Sequence, residues 1–164
     1  MSVLLIVVVA IVGGLSLLVV GALVAARLAT PSAAVMELGL TEGRLAACPE
    51  AFNCVSTMAE DKAHRVDAVA YNVSRDEAFA AVTAAISDLP RVRIVAQDEF
   101  YLHAEVRSLL FRFIDDVEIY LPYDEAVIHF RSASRAGQGD LGVNRKRYET
   151  FREAVGAKLQ GAAE

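Results

Sequence analysis

The stretch from Phe111 to Ser134 reads FRFIDDVEIYLPYDEAVIHFRSAS, and its alternation decides the fold. Phe111, Phe113, Val117, Ile119 and Leu121 share one parity, Pro122 to Glu125 has the composition of a turn, and Ala126, Ile128 and Phe130 resume the alternation. Period two on both sides of a short turn marks an antiparallel hairpin with one buried face. Pairing Leu121 with Ala126 sets Ile119 against Ile128 and Val117 against Phe130. The other side then carries Glu118 opposite His129 and Asp116 opposite Arg131, and a one-residue slip would spoil both faces. The same register puts Asp115 in an apolar slot facing Ser132. An ionised carboxylate is too costly to bury alone. Asp115 must therefore turn outward at a bulge or find partners, for which Arg131, Arg135, Ser132 and Ser134 are the nearby choices.

Outward from this hairpin, Val92, Ile94 and Ala96 alternate, as do Leu102, Ala104 and Val106, so the hairpin ends a β-meander of about four strands. Val66, Ala68 and Ala70 mark a further short strand. Two amphipathic helices flank the meander. Ser74-Arg75-Asp76-Glu77 is a capping box, followed by Phe79, Val82, Ile86 and Leu89 at helical spacing and stopped by Pro90. The second helix runs from about Leu141 to Leu159, with Tyr148, Phe151, Val155 and Leu159 on its apolar face and Asp140 placed to cap it. Arg145, Lys146 and Arg147 in its early turns oppose the helix dipole and call for acidic neighbours or an anion. The fold expected is α+β.

Ahead of this domain, Val3 to Ala26 contains no charged residue. As a helix it would be about 36 Å long, enough to cross a bilayer core. The expectation is a transmembrane anchor over residues 1–28, a linker over 29–44 and a soluble α+β domain over 45–164. A cleavable signal peptide is the rival reading, but its basic n-region is missing and the apolar run is long. Arg27 beyond the run faintly favours a cytoplasmic domain. Cys48 and Cys54, the only cysteines, favour the opposite side, because an even, closely spaced pair suits a disulfide in an oxidising compartment. The spacing is not C-x-x-C, and a zinc site would need His64 and more. The expected location is the inner (plasma) membrane, single-pass, with the domain on the periplasmic side.

The net charge is −5 and the pI about 5.2, with no basic stripe in the sequence, which argues against nucleic acid as partner. The charge is uneven. Asp98 to Glu125 holds eight acids and two bases, and Arg131 to Arg147 holds five bases and one acid, so internal pairing is expected.

Phe113-Ile114-Asp115-Asp116-Val117-Glu118, then Arg131-Ser132-Ala133-Ser134-Arg135, then Asp140-Leu141-Gly142-Val143-Asn144-Arg145 form a combination that resembles domain-of-unknown-function family 1499. Cys48-Pro49, Asn53-Cys54-Val55-Ser56 and His64 resemble the family's N-terminal motif. The chain departs from it at Ala51-Phe52 and Thr57-Met58, where Ser-Pro and Ser-Gln are usual. The likeness spans about residues 45 to 158. It implies a bacterial or plastid envelope protein and supplies no reaction.

The candidate site is thus a polar cluster of Asp115, Asp116, Glu118, Arg131, Ser132, Ser134, Arg135, Asp140, Asn144 and Arg145. It would either brace the fold or bind a small anionic ligand through guanidiniums and helix-start amides. An envelope assembly or interaction protein is the alternative. A metal-assisted hydrolase built on Asp115, Asp116, Glu118 and His129 is a lesser one, because Asp115 lies on the other strand face and no P-loop, HExxH or Ser-His-Asp order occurs. The expectation is no catalytic residue, metal or cofactor. The partners expected are a membrane through residues 3–26 and an anionic ligand or envelope protein.

Overall fold

The computed structural model describes residues 3–28, 38–109 and 112–162, with side chains of the first helix described over residues 8–21. The chain divides into two compact units, Met1–Ala33 and Ala34–Glu164. The first contains one helix, α1 (Val3–Leu28), in which Ser16 Oγ bonds back to the Val12 carbonyl at 2.9 Å. The expected transmembrane anchor is corrected here. Among the described residues no helix is long and apolar enough to cross a membrane. Residues 29–37 of the expected linker, and Phe111 of the apolar series, lie outside the described residues.

The second unit is α+β. Its elements are the two-residue strands β1 (Leu40–Thr41) and β2 (Arg44–Leu45), then β3 (Cys54–Ser56), β4 (Val69–Ala70), α2 (Arg75–Ser87), β5 (Val92–Asp98), β6 (Tyr101–Arg107), β7 (Ile114–Tyr120), β8 (Val127–Ser134) and α3 (Val143–Ala162). β1 and β2 pair with each other, and the rest form a six-stranded antiparallel sheet in the order β3-β8-β7-β6-β5, with β4 also on β8. The sheet is wider than the four strands expected. β3 falls in a segment without visible alternation because all three of its residues are buried.

The capping box forms as the sequence requires: the Ser74 hydroxyl accepts from the Glu77 amide, and the Glu77 carboxylate accepts from the Ser74 amide at 2.9 Å. α2 then lays Phe79, Val82 and Ile86 against Leu102, Ala104, Val117, Ile119 and Phe130 of the sheet, and α3 adds Tyr148, Phe151, Val155 and Leu159. Phe130 stacks on Phe151 with ring centroids 5.0 Å apart. Burying a side chain of this size contributes about 1.5–3 kcal/mol.

The hairpin register differs from the expected one by two residues. Glu118 pairs with Arg131, Asp116 with Ala133, Val117 with Ser132, and Asp115 with Ser134. Leu121 and Ala126 do not continue the ladder because their backbones are used elsewhere. The Leu121 amide donates to the Phe100 carbonyl, the Leu121 carbonyl accepts from Arg75, and the Ala126 carbonyl accepts from the Tyr71 amide. A two-residue slip keeps every side chain on its face, so the facial assignment survives the correction. α3 also starts at Val143 rather than Leu141, which adopts a positive φ of 55° and is fully exposed.

Candidate functional site

Among the described residues, β7 and β8 carry most of the candidate residues in the sheet, and they present them on both faces. On the helix side, Asp115 is buried at the end of the apolar row, with no bulge in β7. Its partner is neither Arg131 nor Arg135, which point to the other face. It is Arg147, one of the three early-turn bases of α3, whose Nη2 lies 2.6 Å from Asp115 Oδ2. Arg147 Nη1 also donates to Ser132 Oγ at 2.8 Å and Asn144 Oδ1 at 2.5 Å. Ser132 donates to Asn144 Oδ1 at 2.6 Å, and the Asn144 amide donates to the Asn53 carbonyl at 2.8 Å and Ser134 Oγ at 3.1 Å. The arrangement ties the start of α3 to β8 and to the residue before β3. Asn53 Oδ1 is buried there without a hydrogen-bond partner; the remaining buried polar groups, given partners, rigidify the geometry.

On the outer face the layer is charged. Glu118, fully buried, accepts from Arg131 Nη1 at 2.8 Å, from the Tyr101 hydroxyl at 2.7 Å and from the Gly39 amide at 2.7 Å. Asp116, also fully buried, takes a two-pronged contact from Arg135 (Nε to Oδ2 and Nη2 to Oδ1, both 2.7 Å) and lies 2.7 Å from His103 Nε2. Arg135 Nη2 bridges on to Glu105 at 2.8 Å, and Glu105 accepts from Arg93 at 3.0 Å. Over this layer runs the segment from Leu38 to Met58. It supplies the Gly39 amide, the Ala47 carbonyl at 3.4 Å from Arg131 Nη2, and buried Leu45, whose amide faces Met58 Sδ. Cys48 and Cys54 form a disulfide across this cover.

The electrostatics follow from the pairing. Burial works to raise Asp116 and Glu105, but Arg135 and His103 on the first, and Arg93 and Arg135 on the second, outweigh it. Both carboxyls sit below their ordinary range. Arg135 is held firmly cationic, chiefly by its bonds to Asp116. The Tyr101 phenol is pushed well up, first by burial and then by the Glu118 carboxylate it donates to.

The ten candidate residues therefore divide into two layers and a periphery. Asp115, Ser132, Ser134 and Asn144 meet on the helix side, and Asp116, Glu118, Arg131 and Arg135 on the outer side. Asp140 is in neither. Its carboxylate accepts the amides of Gly142 at 2.9 Å and Asn144 at 2.7 Å, so it caps α3 from further back than expected. Arg145 joins no acid. It donates to the Ala63 and Arg65 carbonyls from an accessible position. His129, part of the hydrolase alternative, sits 3.0 Å from Thr57 Oγ1, and its imidazole is shifted down by burial. Among the described residues no group of three or more His, Cys, Asp or Glu side chains is placed to hold a metal ion. Arg147, Glu105, His103, Tyr101 and Asn53 are members that sequence reasoning did not select. For Arg147 there was a signal, its unfavourable place in the helix dipole. For Glu105 and His103 the only signal was period two along β6.

Open depressions of about 320, 470 and 600 Å³ lie on the domain, the first lined in part by Tyr101, the phenol that donates to Glu118. The second is bordered by Arg44, Ala47, Cys48 and Ser56 of the cover. A comparison with curated proteins finds no match. A family model described as protein of unknown function (DUF1499) matches residues 44–155, a span that includes the cover from Arg44 onward and the side chains of both polar layers, and the chain belongs to that family.

Proposed function

We propose that this domain is a non-catalytic module whose two buried polar layers brace the sheet, and that it acts through the surface the bracing holds in place. The observation that carries the reading is the saturation of the carboxylates. Asp115, Asp116 and Glu118, themselves at most 5% exposed, each end on a guanidinium, so that among the described residues Arg147, Arg135 and Arg131 are each already held by a carboxylate there. Charge networks that perturb titration are as often architectural as functional. The disulfide supports a place in an oxidising compartment, on the exocytoplasmic side of a cell membrane.

The competing reading is a small anionic ligand on Arg131 or Arg135. Thermal denaturation of the full chain in graded phosphate and citrate, against sodium chloride at matched ionic strength, separates the two. The bracing reading expects no saturable rise in Tm over the chloride control. A saturable rise that disappears in Arg135→Gln would sink it in favour of an anion site.

A further inference from the structure

The antiparallel sheet gives the domain two ends, and they differ in charge. At one end lie the β5–β6 and β7–β8 turns with exposed Asp98, Glu99, Asp124 and Glu125, beside the first turn of α2 with Asp76 and Glu77. At the other lie the start of β5, the β6–β7 connection and the loop from β8 into α3. Leu109 is 73% exposed there, Leu141 fully exposed and Phe52 72% exposed. Phe52 belongs to the same end because its amide donates to Gln138 and it bridges Gly139, two residues before Leu141.

Cations share this end, toward the β5 edge of the sheet. Arg91 and Arg107 are laced together through each other's carbonyls, Arg91 Nε donating to the Arg107 oxygen at 2.9 Å. Arg112 is exposed at a φ of 55°. No carboxylate occurs between Glu105 and Asp115 in the sequence, and the residues between Leu109 and Arg112, which lie outside the described residues, are Leu110 and Phe111. The acids nearest this end are already engaged, apart from exposed Glu50. Glu105 is held by Arg93 and Arg135, with the Arg107 guanidinium 3.9 Å away, and Asp88 by Lys158 at 2.9 Å, while Asp140 keeps its charge among two backbone amides.

We propose that this end, with Leu109, Leu141 and Phe52 as apolar points and Arg91, Arg107 and Arg112 beside them, docks on an anionic lipid surface. Single apolar side chains on separate turns, flanked by guanidiniums, suit insertion among headgroups, where the cations meet lipid phosphates. A protein partner would need a packed patch of about 800 Å² on each side, and these points form no continuous face. The acidic end, directed away from the same surface, orients the domain despite its net charge of −5. Bulky Leu141 at a positive φ is a strained placement that the Asp140 cap and the Asn53–Asn144 bond hold. The proposal rests on the surface-presenting reading above and uses no part of residues 1–33.

The chain has no tryptophan, so a single introduced one reports alone. Leu109→Trp, Leu141→Trp and Tyr123→Trp, the last at the acidic end, are placed in the full chain and mixed with phosphatidylglycerol-containing vesicles. Emission from the first two should shift to the blue and be quenched by acyl-chain bromine, while Tyr123→Trp stays unchanged. Arg107→Gln and Arg112→Gln in the Leu109→Trp background should each weaken the titration about fivefold. Equal behaviour of all three reporters, no shift for Leu109→Trp, or the same shift on pure phosphatidylcholine would overturn the proposal. So would a response to polyglutamate in place of vesicles, which would point to an acidic protein. Failure here with a silent anion titration removes the lipid and leaves the bracing reading standing.

Discussion

At β7 and β8 the two faces of the sheet are both buried and differently built. Under the helices the sheet is apolar, and its polar nook is small and redundant: Arg147 has Asp115, Ser132 and Asn144 as acceptors. Under the Leu38–Met58 cover the layer is charged, and its central cation has little to fall back on. Arg131 has Glu118, a long contact to Ala47, and an Nε without any hydrogen-bond partner. Burial measures access to water and does not measure how many partners a charge can lose. Breaking a buried pair costs most where the surviving ion is left alone.

The sharpest way to break this comparison is to remove one carboxylate from each face. Glu118→Ala should cost roughly 3–5 kcal/mol in urea denaturation, and Asp115→Ala about 2 kcal/mol, because Arg147 keeps two neutral acceptors. Equal losses would mean that redundancy does not matter here. A smaller effect is expected at the cover. Cys48→Ala with Cys54→Ala should cost about 2 kcal/mol through the short loop they close, read as a lower urea midpoint, with the loss reproduced by reductant on the native chain. A wild-type midpoint insensitive to reductant would detach the disulfide from the stability of the outer face. The smallest effect is in acid. Asp116 and Glu105 have depressed folded-state pKa values. Their stabilisation is fully present above the unfolded values, about 3.9 and 4.3, and fades as pH falls through the folded ones. The acid limb of the stability–pH profile should therefore be shallower in Asp116→Asn than in the native chain; parallel limbs would show that Asp116 does not contribute to it.

Much of this architecture was legible in the residues. The alternation through Phe130 and Val117 assigned side chains to faces correctly, because a two-residue error in register is invisible to period two. The link between Asp116 and Arg135 was among the expected pairings. The Arg147 partner of Asp115 was not, since it depends on where α3 crosses the sheet, and nothing local to either segment encodes that. β3 escaped because a three-residue strand buried on both sides has no pattern to read. The polarity of the sheet's two ends was hidden for a related reason. Charges were summed along the chain, whereas antiparallel pairing sorts turns alternately to opposite ends, so Arg107 and Arg112 sit far from Asp124 despite sharing one acidic stretch of sequence.

β8 is the last strand to leave the ribosome, and β3, β4 and β7 all pair with it. Cys54 and Ala133 are partners 79 residues apart, so the growing chain carries β3 without its neighbour for about half of synthesis. Contacts of such wide separation are slow to form. The cysteines, six apart, face no such delay, and oxidation can close their small ring while the strand that will shelter it has yet to be translated.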